Sequence, residues 1–130
     1  MSTQKISTQA LHAGHDTTKT GGTRAVPIYQ TSSYVFNDTE HAANLFSLKE
    51  LGFIYTRLNN PTNDILQQRL AAIEGGVGAV VFASGTSAIS TGLLTLLRAG
   101  DHIVASSSLY GGTFTSVSYT HLRAHETKAN

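Results

Sequence analysis

The chain contains no cysteine. That excludes a disulfide framework, a thiolate-bound metal and a cysteine nucleophile. It also lacks a charge surplus: 9 Lys and Arg stand against 8 Asp and Glu, a formal net charge of +1. A surface for nucleic acid or anionic lipid needs clustered Lys and Arg, so neither partner is expected. Residues 1–11 are polar and have no apolar h-region, so they are not a secretory signal. The longest apolar run, residues 79–83, is far too short to cross a bilayer. There is no internal repeat and no Gly-x-Gly-x-x-Gly fingerprint. A soluble, cytoplasmic protein is the expectation.

The 130 residues are 40% hydrophobic and 13% charged, enough for one domain with a core. Residues 1–38 show no helical period and hold Gly14, Gly21, Gly22 and Pro27. They lead into a β-prone run over 28–36, which reads as an extended arm lying on its own body or on a neighbour. Asp38 or Thr39 caps a short helix with Ala42, Ala43, Leu45, Phe46 and Leu48 as its apolar positions, ended by Gly52. Residues 53–57 read as extended. Asn59-Asn60-Pro61-Thr62 is a turn with proline placed to start the next helix. Over 62–74, Ile65, Leu66, Leu70 and Ile73 fall on one helical face, and Gly75-Gly76 stops the helix.

Residues 77–83 are apolar without alternation, which predicts a strand buried on both faces of a parallel sheet. Ser84-Gly85-Thr86 turns into a helix over 87–97. Ala99-Gly100-Asp101 turns again, and 102–105 reads as a second strand. Helix, strand, helix, strand in short order predicts an open α/β fold.

Three segments could carry chemistry. At Ser84-Gly85-Thr86-Ser87, a strand enters a helix through small residues. The first helical turn offers unpaired N–H groups and a positive dipole end, and Gly85 lets phosphate oxygens approach; the same residues also serve a tight structural connection. Tyr55-Thr56-Arg57 could clamp a phosphate with a guanidinium fork and a phenol, or be a solvated surface pair. Ser106-Ser107-Ser108-Leu109-Tyr110-Gly111-Gly112 follows a predicted strand, where ligands of open α/β sheets sit. Tyr110 there could stack on a planar ring or be a structural tyrosine. Together, a phosphate cradle and an aromatic ring on one sheet edge suit a flat, phosphorylated cofactor.

These residues resemble a known family. Arg24-Ala25-Val26-Pro27-Ile28-Tyr29-Gln30-Thr31-Ser32-Ser33-Tyr34-Val35-Phe36, residues 38–46, Ile54-Tyr55-Thr56-Arg57 and Asn60-Pro61-Thr62-Asn63 resemble the O-acetylhomoserine sulfhydrylase branch of the Cys/Met-metabolism enzymes. Ser84-Gly85-Thr86 and Tyr110-Gly111-Gly112-Thr113 follow in the order shared with cystathionine synthases and lyases. The resemblance covers residues 7 to about 115. It implies the N-terminal part of a fold type I pyridoxal-phosphate-dependent transferase, namely an extended arm plus the start of the parallel-sheet cofactor domain. It implies an arm and short helix in inter-subunit contact over 1–60, and the start of the large cofactor-binding domain over 61–116.

The implied cofactor is pyridoxal 5'-phosphate. The implied substrates are O-acetylhomoserine and sulfide or a thiol, giving homocysteine or methionine. The implied assembly is a homo-oligomer, a dimer of dimers. By the same resemblance, Gly85 and Thr86 offer N–H groups to the phosphate. Tyr55 and Arg57 reach it from a neighbouring subunit. Tyr110 stacks on the pyridine ring and takes part in proton movements.

The family's cofactor-anchoring lysine, the acid at the pyridine nitrogen and the arginine for the substrate carboxylate lie downstream of this match. Lys5, Lys19, Lys49 and Lys128 match none of them. From a junction near Ser116 or Val117, the string through Asn130 departs from the family and resembles a translation of sequencing-adapter DNA. Residues 117–130 are therefore read as a non-native tail, and the four-residue spacing of His121 and His125 as no metal site. His12 and His15 are read the same way. Two alternatives remain: a cystathionine synthase or lyase of the same family, and a non-enzymatic phosphate-binding module.

Overall fold

The computed structural model describes residues 4–98, 100–116 and 118. The chain divides into two compact units, residues 1–81 and 82–130. The first holds α1 (Ile6–His12), a 3-10 turn (Thr17–Thr20), α2 (Thr39–Phe46) and α3 (Pro61–Glu74).

The segment expected to be an extended arm thus begins with a helix. α1 has seven residues, and its Ile6 and Leu11 are exposed, so no apolar period announces it. Its place is set by α3 instead. Arg69 Nε donates to the Ala13 carbonyl at 3.0 Å. Gly14, at φ +76°, lies so close to α3 that a Cβ there would stand 2.8 Å from the Ile65 carbonyl oxygen. Asp16 then caps the 3-10 turn, accepting from the Thr18 N–H at 3.0 Å and the Thr18 hydroxyl at 2.7 Å.

α2 starts where its cap predicts, with the Asp38 carboxylate accepting from the His41 N–H at 2.7 Å. It ends at Ser47, followed by Leu48 at φ 57°, rather than at Gly52. Gly52 serves packing: a Cβ there would meet Leu45 Cδ2 at 2.8 Å, and Leu45 is 2% exposed. α3 begins with Pro61 behind the Asn60 cap and stops at Gly75, which takes the left-handed conformation that glycine adopts freely. Its buried positions are Ile65 and Ala71. Leu66 and Leu70, expected on the same face, stay partly in solvent, 47% and 40% exposed.

The parallel sheet expected from 77–83 and 102–105 is not formed among the described residues. Neither segment enters a ladder, and the bridge that occurs, Ser33 with Tyr55, is isolated and antiparallel. An apolar parallel strand is stable only with partner strands at its edges and cover on both faces. Here Val77 and Val104 stand fully exposed. The Val81 N–H is taken by a side chain, Gln67 Oε1, at 3.1 Å.

The second unit contains α4 (Gly85–Leu96) and α5 (Gly111–Thr115), which pack on each other. The Ser90 and Ser116 hydroxyls meet at 3.0 Å. α4 begins two residues before the expected start, because Ser84 caps it. Apart from residue 118, the tail from 117 onward, with Lys128, His121 and His125, lies outside the described residues.

Candidate cofactor site

The start of α4 follows from a small-residue run. Ser84 is extended (φ −150°, ψ 153°) and its Oγ accepts from the Ser87 N–H at 3.1 Å while donating to Ser87 Oγ at 3.0 Å. That satisfies one of the four first-turn donors. Gly85 and Thr86, the first two helical residues, keep N–H groups that no intrahelical carbonyl can reach, at the positive end of the helix dipole. Nothing lies within 4 Å of the position a Cβ would take on Gly85, so its backbone is open to a ligand.

α5 supplies the adjoining wall. Tyr110 precedes its first turn and is 76% exposed. A Cβ on Gly112 would lie 3.0 Å from Tyr110 Cε1 and 3.8 Å from Thr86 Oγ1. The Tyr110 ring, Gly112 and the Thr86 hydroxyl therefore share one neighbourhood, beside the open N–H groups of α4. The second unit thus gathers three residues singled out from sequence: Gly85, Thr86 and Tyr110.

Tyr55 and Arg57 belong to the first unit. They sit on the segment that meets the arm. The Thr56 N–H donates to the Ser32 carbonyl at 2.9 Å, and the Tyr34 N–H donates to the Ile54 carbonyl at 3.3 Å. The Tyr34 and Phe53 rings, 5.5 Å apart at their centroids, pack beside this pairing. The Arg57 guanidinium lies 5.6 Å from the centroid of the Tyr55 ring, a cation–π arrangement, with both side chains exposed.

Sequence reasoning missed what holds this segment. Asn59 Oδ1 accepts from the Ile54 N–H at 3.2 Å, and its Nδ2 donates to the Gly52 carbonyl at 2.6 Å. Asn60, 4% exposed, faces the other way and joins three segments: Tyr29, Thr56 and Thr62. Thr62 Oγ1 accepts from the Tyr29 N–H at 3.0 Å and donates to the Pro27 carbonyl at 3.1 Å. An asparagine directly before an N1 proline is a visible cap signal; the reach of its amide to Tyr29 and Thr56 is not.

Residues 7–128 match the family of Cys/Met metabolism PLP-dependent enzymes, and the chain belongs to it. Within that family it is 59% identical over 116 residues to the O-acetyl-L-homoserine sulfhydrylase of Leptospira meyeri, covering 89% of this chain and 26% of that protein. It is 53% identical over 116 residues to O-acetyl-L-homoserine sulfhydrylase 1 of Thermus thermophilus, covering 89% and 28%. Among solved structures, it superposes on a Campylobacter jejuni chain assigned as an O-acetylhomoserine (thiol)-lyase. There the TM-score is 0.82 at 43% identity, over 89% of this chain and 28% of that one. That protein carries N'-pyridoxyl-lysine-5'-monophosphate at its position 205. The chain thus spans about a quarter of the length of the curated relatives it matches, and aligns with the N-terminal part of fold type I enzymes. Among the described residues, no helix is long and apolar enough to cross a membrane.

Proposed function

We propose that this chain provides part of the pyridoxal-phosphate site of an O-acetylhomoserine sulfhydrylase. The observation that carries the reading is the start of α4, where the Gly85 and Thr86 N–H groups have no helical acceptor and Tyr110 stands beside them. These groups fit a phosphorylated ring. The open Gly85 backbone admits phosphate oxygens, and the exposed Tyr110 ring offers a flat face next to it.

Pyridoxal phosphate, when bound, supplies the electron sink for replacing the acetoxy group of O-acetylhomoserine by sulfide or a thiol. The chain's own residues bind and orient. Gly85 and Thr86 donate main-chain N–H groups to the phosphate. Tyr55 and Arg57 donate to the phosphate of a neighbouring subunit, so the site is completed in a homo-oligomer, with residues 1–60 as the inter-subunit arm. Tyr110 stacks on the ring, and its Oη moves a proton during elimination. The lysine, acid and arginine that complete the site are supplied from beyond residues 7–115. The 130-residue chain alone is therefore expected to give no homocysteine.

Arg57 makes a charge-assisted contact of about 1.5–3 kcal/mol, so Arg57→Ala should weaken cofactor binding about ten- to a hundred-fold. The test mixes two inactive variants of the complete gene product, Arg57→Ala and a substitution of the cofactor-anchoring lysine. Mixed dimers then contain one site with both residues intact, and activity should partly return after subunit exchange. If mixed dimers form and recover nothing, Arg57 serves its own subunit. Product analysis with O-acetylhomoserine and sulfide separates the branches: homocysteine marks the sulfhydrylase, cystathionine chemistry marks its synthase or lyase relatives, and cofactor binding without turnover marks a phosphate-binding module.

A further inference from the structure

Asn60 uses every polar atom of its side chain. Oδ1 accepts from the Thr62 N–H at 2.9 Å and caps α3. The two Nδ2 hydrogens go to the Tyr29 carbonyl at 2.9 Å and to Thr56 Oγ1 at 3.2 Å. The Thr56 hydroxyl in turn donates to the Thr31 carbonyl of the arm. Thr56 is the residue between Tyr55 and Arg57, so one buried amide fixes the backbone that carries both side chains against α3 and against residues 29–31. A cap alone needs only Oδ1; the two donors are aimed at the Tyr55–Arg57 segment and the arm it lies on.

From this geometry we infer that Asn60, acting through the Thr56 hydroxyl, is a positioning residue for the Tyr55 and Arg57 side chains. The inference rests on the proposed role of that pair as a phosphate clamp. Asn60 touches no ligand itself. It holds the peptide units on either side of Thr56 in one arrangement, so that the guanidinium and phenol converge without first ordering the loop. Its loss should therefore be felt by a ligand that carries a phosphate and not by the same ring without one.

The test measures binding of pyridoxamine 5'-phosphate and of pyridoxamine to the complete gene product by calorimetry. Asn60→Asp keeps the acceptor that caps α3 and removes both donors. Thr56→Val removes the hydroxyl at the other end, and Thr56→Ser restores it. Asn60→Asp and Thr56→Val should each weaken the phosphorylated ligand about ten-fold, leave the unphosphorylated one within about two-fold, and add nothing further once Tyr55→Phe and Arg57→Ala are both present. Thr56→Ser should bind both ligands as the parent does. Equal losses for both ligands, or no rescue by serine, would mean a merely structural role and overturn the inference. If Asn60→Asp does not fold, the Thr56 pair decides. If Arg57→Ala itself does not separate the two ligands, the clamp reading fails, and that result is distinct from the failure of Asn60 alone.

Discussion

The two units are held together by different means. The first buries Leu45, Ile65 and Ala71 and ties distant segments with side-chain-to-main-chain bonds: Thr62 to Pro27 and Tyr29, Asn60 to Tyr29, Arg69 to Ala13. The second buries no apolar side chain among the described residues. Beside the Ser90–Ser116 contact, it has side-chain bonds between residues two to four apart, such as Ser84 with Ser87 and Ser106 with Ser108. Helices and turns need their own sequence neighbours and a few polar clips. Apolar strands need other strands. The first unit finds what its helices and turns need within 81 residues, whereas residues 77–83, most of them also in that unit, and the exposed Val104 of the second keep sheet-type composition with no ladder among the described residues.

The contrast should break most visibly at Gly14. Gly14→Ala puts a Cβ 2.8 Å from the Ile65 carbonyl at a φ of +76°. Strain in the left-handed region and overpacking together should cost about 2–4 kcal/mol and loosen α1 from α3. Urea unfolding followed by helical circular dichroism reads the loss, with amide exchange in α4 as the control. If α4 loosens equally, the units are not held independently.

A smaller effect is expected at Ser84. Ser84→Ala removes the α4 cap and should cost about 1 kcal/mol, seen as faster amide exchange at Ser87 with α3 unchanged. Unaltered exchange at Ser87 would show that water replaces the cap without loss.

The smallest effect is acid titration of the 3-10 turn. The Thr18 hydroxyl and then the Thr18 N–H, with a lesser contribution from Lys19, hold the Asp16 carboxyl below its ordinary value of 3.8 against the opposing desolvation. A carboxyl with a lowered folded pKa adds stability above its unfolded value, and that stability is lost as pH falls through the folded value. The Thr18 amide resonance should therefore titrate with a midpoint below 3.8, with α4 indifferent. A midpoint at or above the ordinary value would remove the bond from the account.

What could be read from the sequence was what is local. Asp38, Asn60-Pro61 and Ser84 each start a helix by binding an N–H two or three residues on, and Gly75 ends one. The Asp38 cap, the proline of the Asn59-Asn60-Pro61-Thr62 turn and the Ser84-Gly85-Thr86 turn place α2, α3 and α4 within two residues of their starts, while the Ser84 cap itself went unread. α1 was hidden because its position is set by Arg69, 56 residues away, rather than by an apolar stripe. The strands failed for the complementary reason: their composition is right, but a strand is a property of a pair. The clip at Asn60 was half legible, its cap being a local pattern and its donors depending on the arm folding back across 31 residues.

The bonds around Asn60 and Thr62 span sequence separations of 31, 33 and 35 residues, and all lie between Pro27 and Thr62. Loops of that size close at modest entropic cost, since each doubling of length adds only about 0.6 kcal/mol. At synthesis rates of roughly 5–20 residues per second, a growing chain has this stretch available seconds before residue 116 is made. The segment bearing Tyr55 and Arg57 can thus be shaped during translation, once Thr62 has left the ribosome and before α4 and α5 have emerged from it.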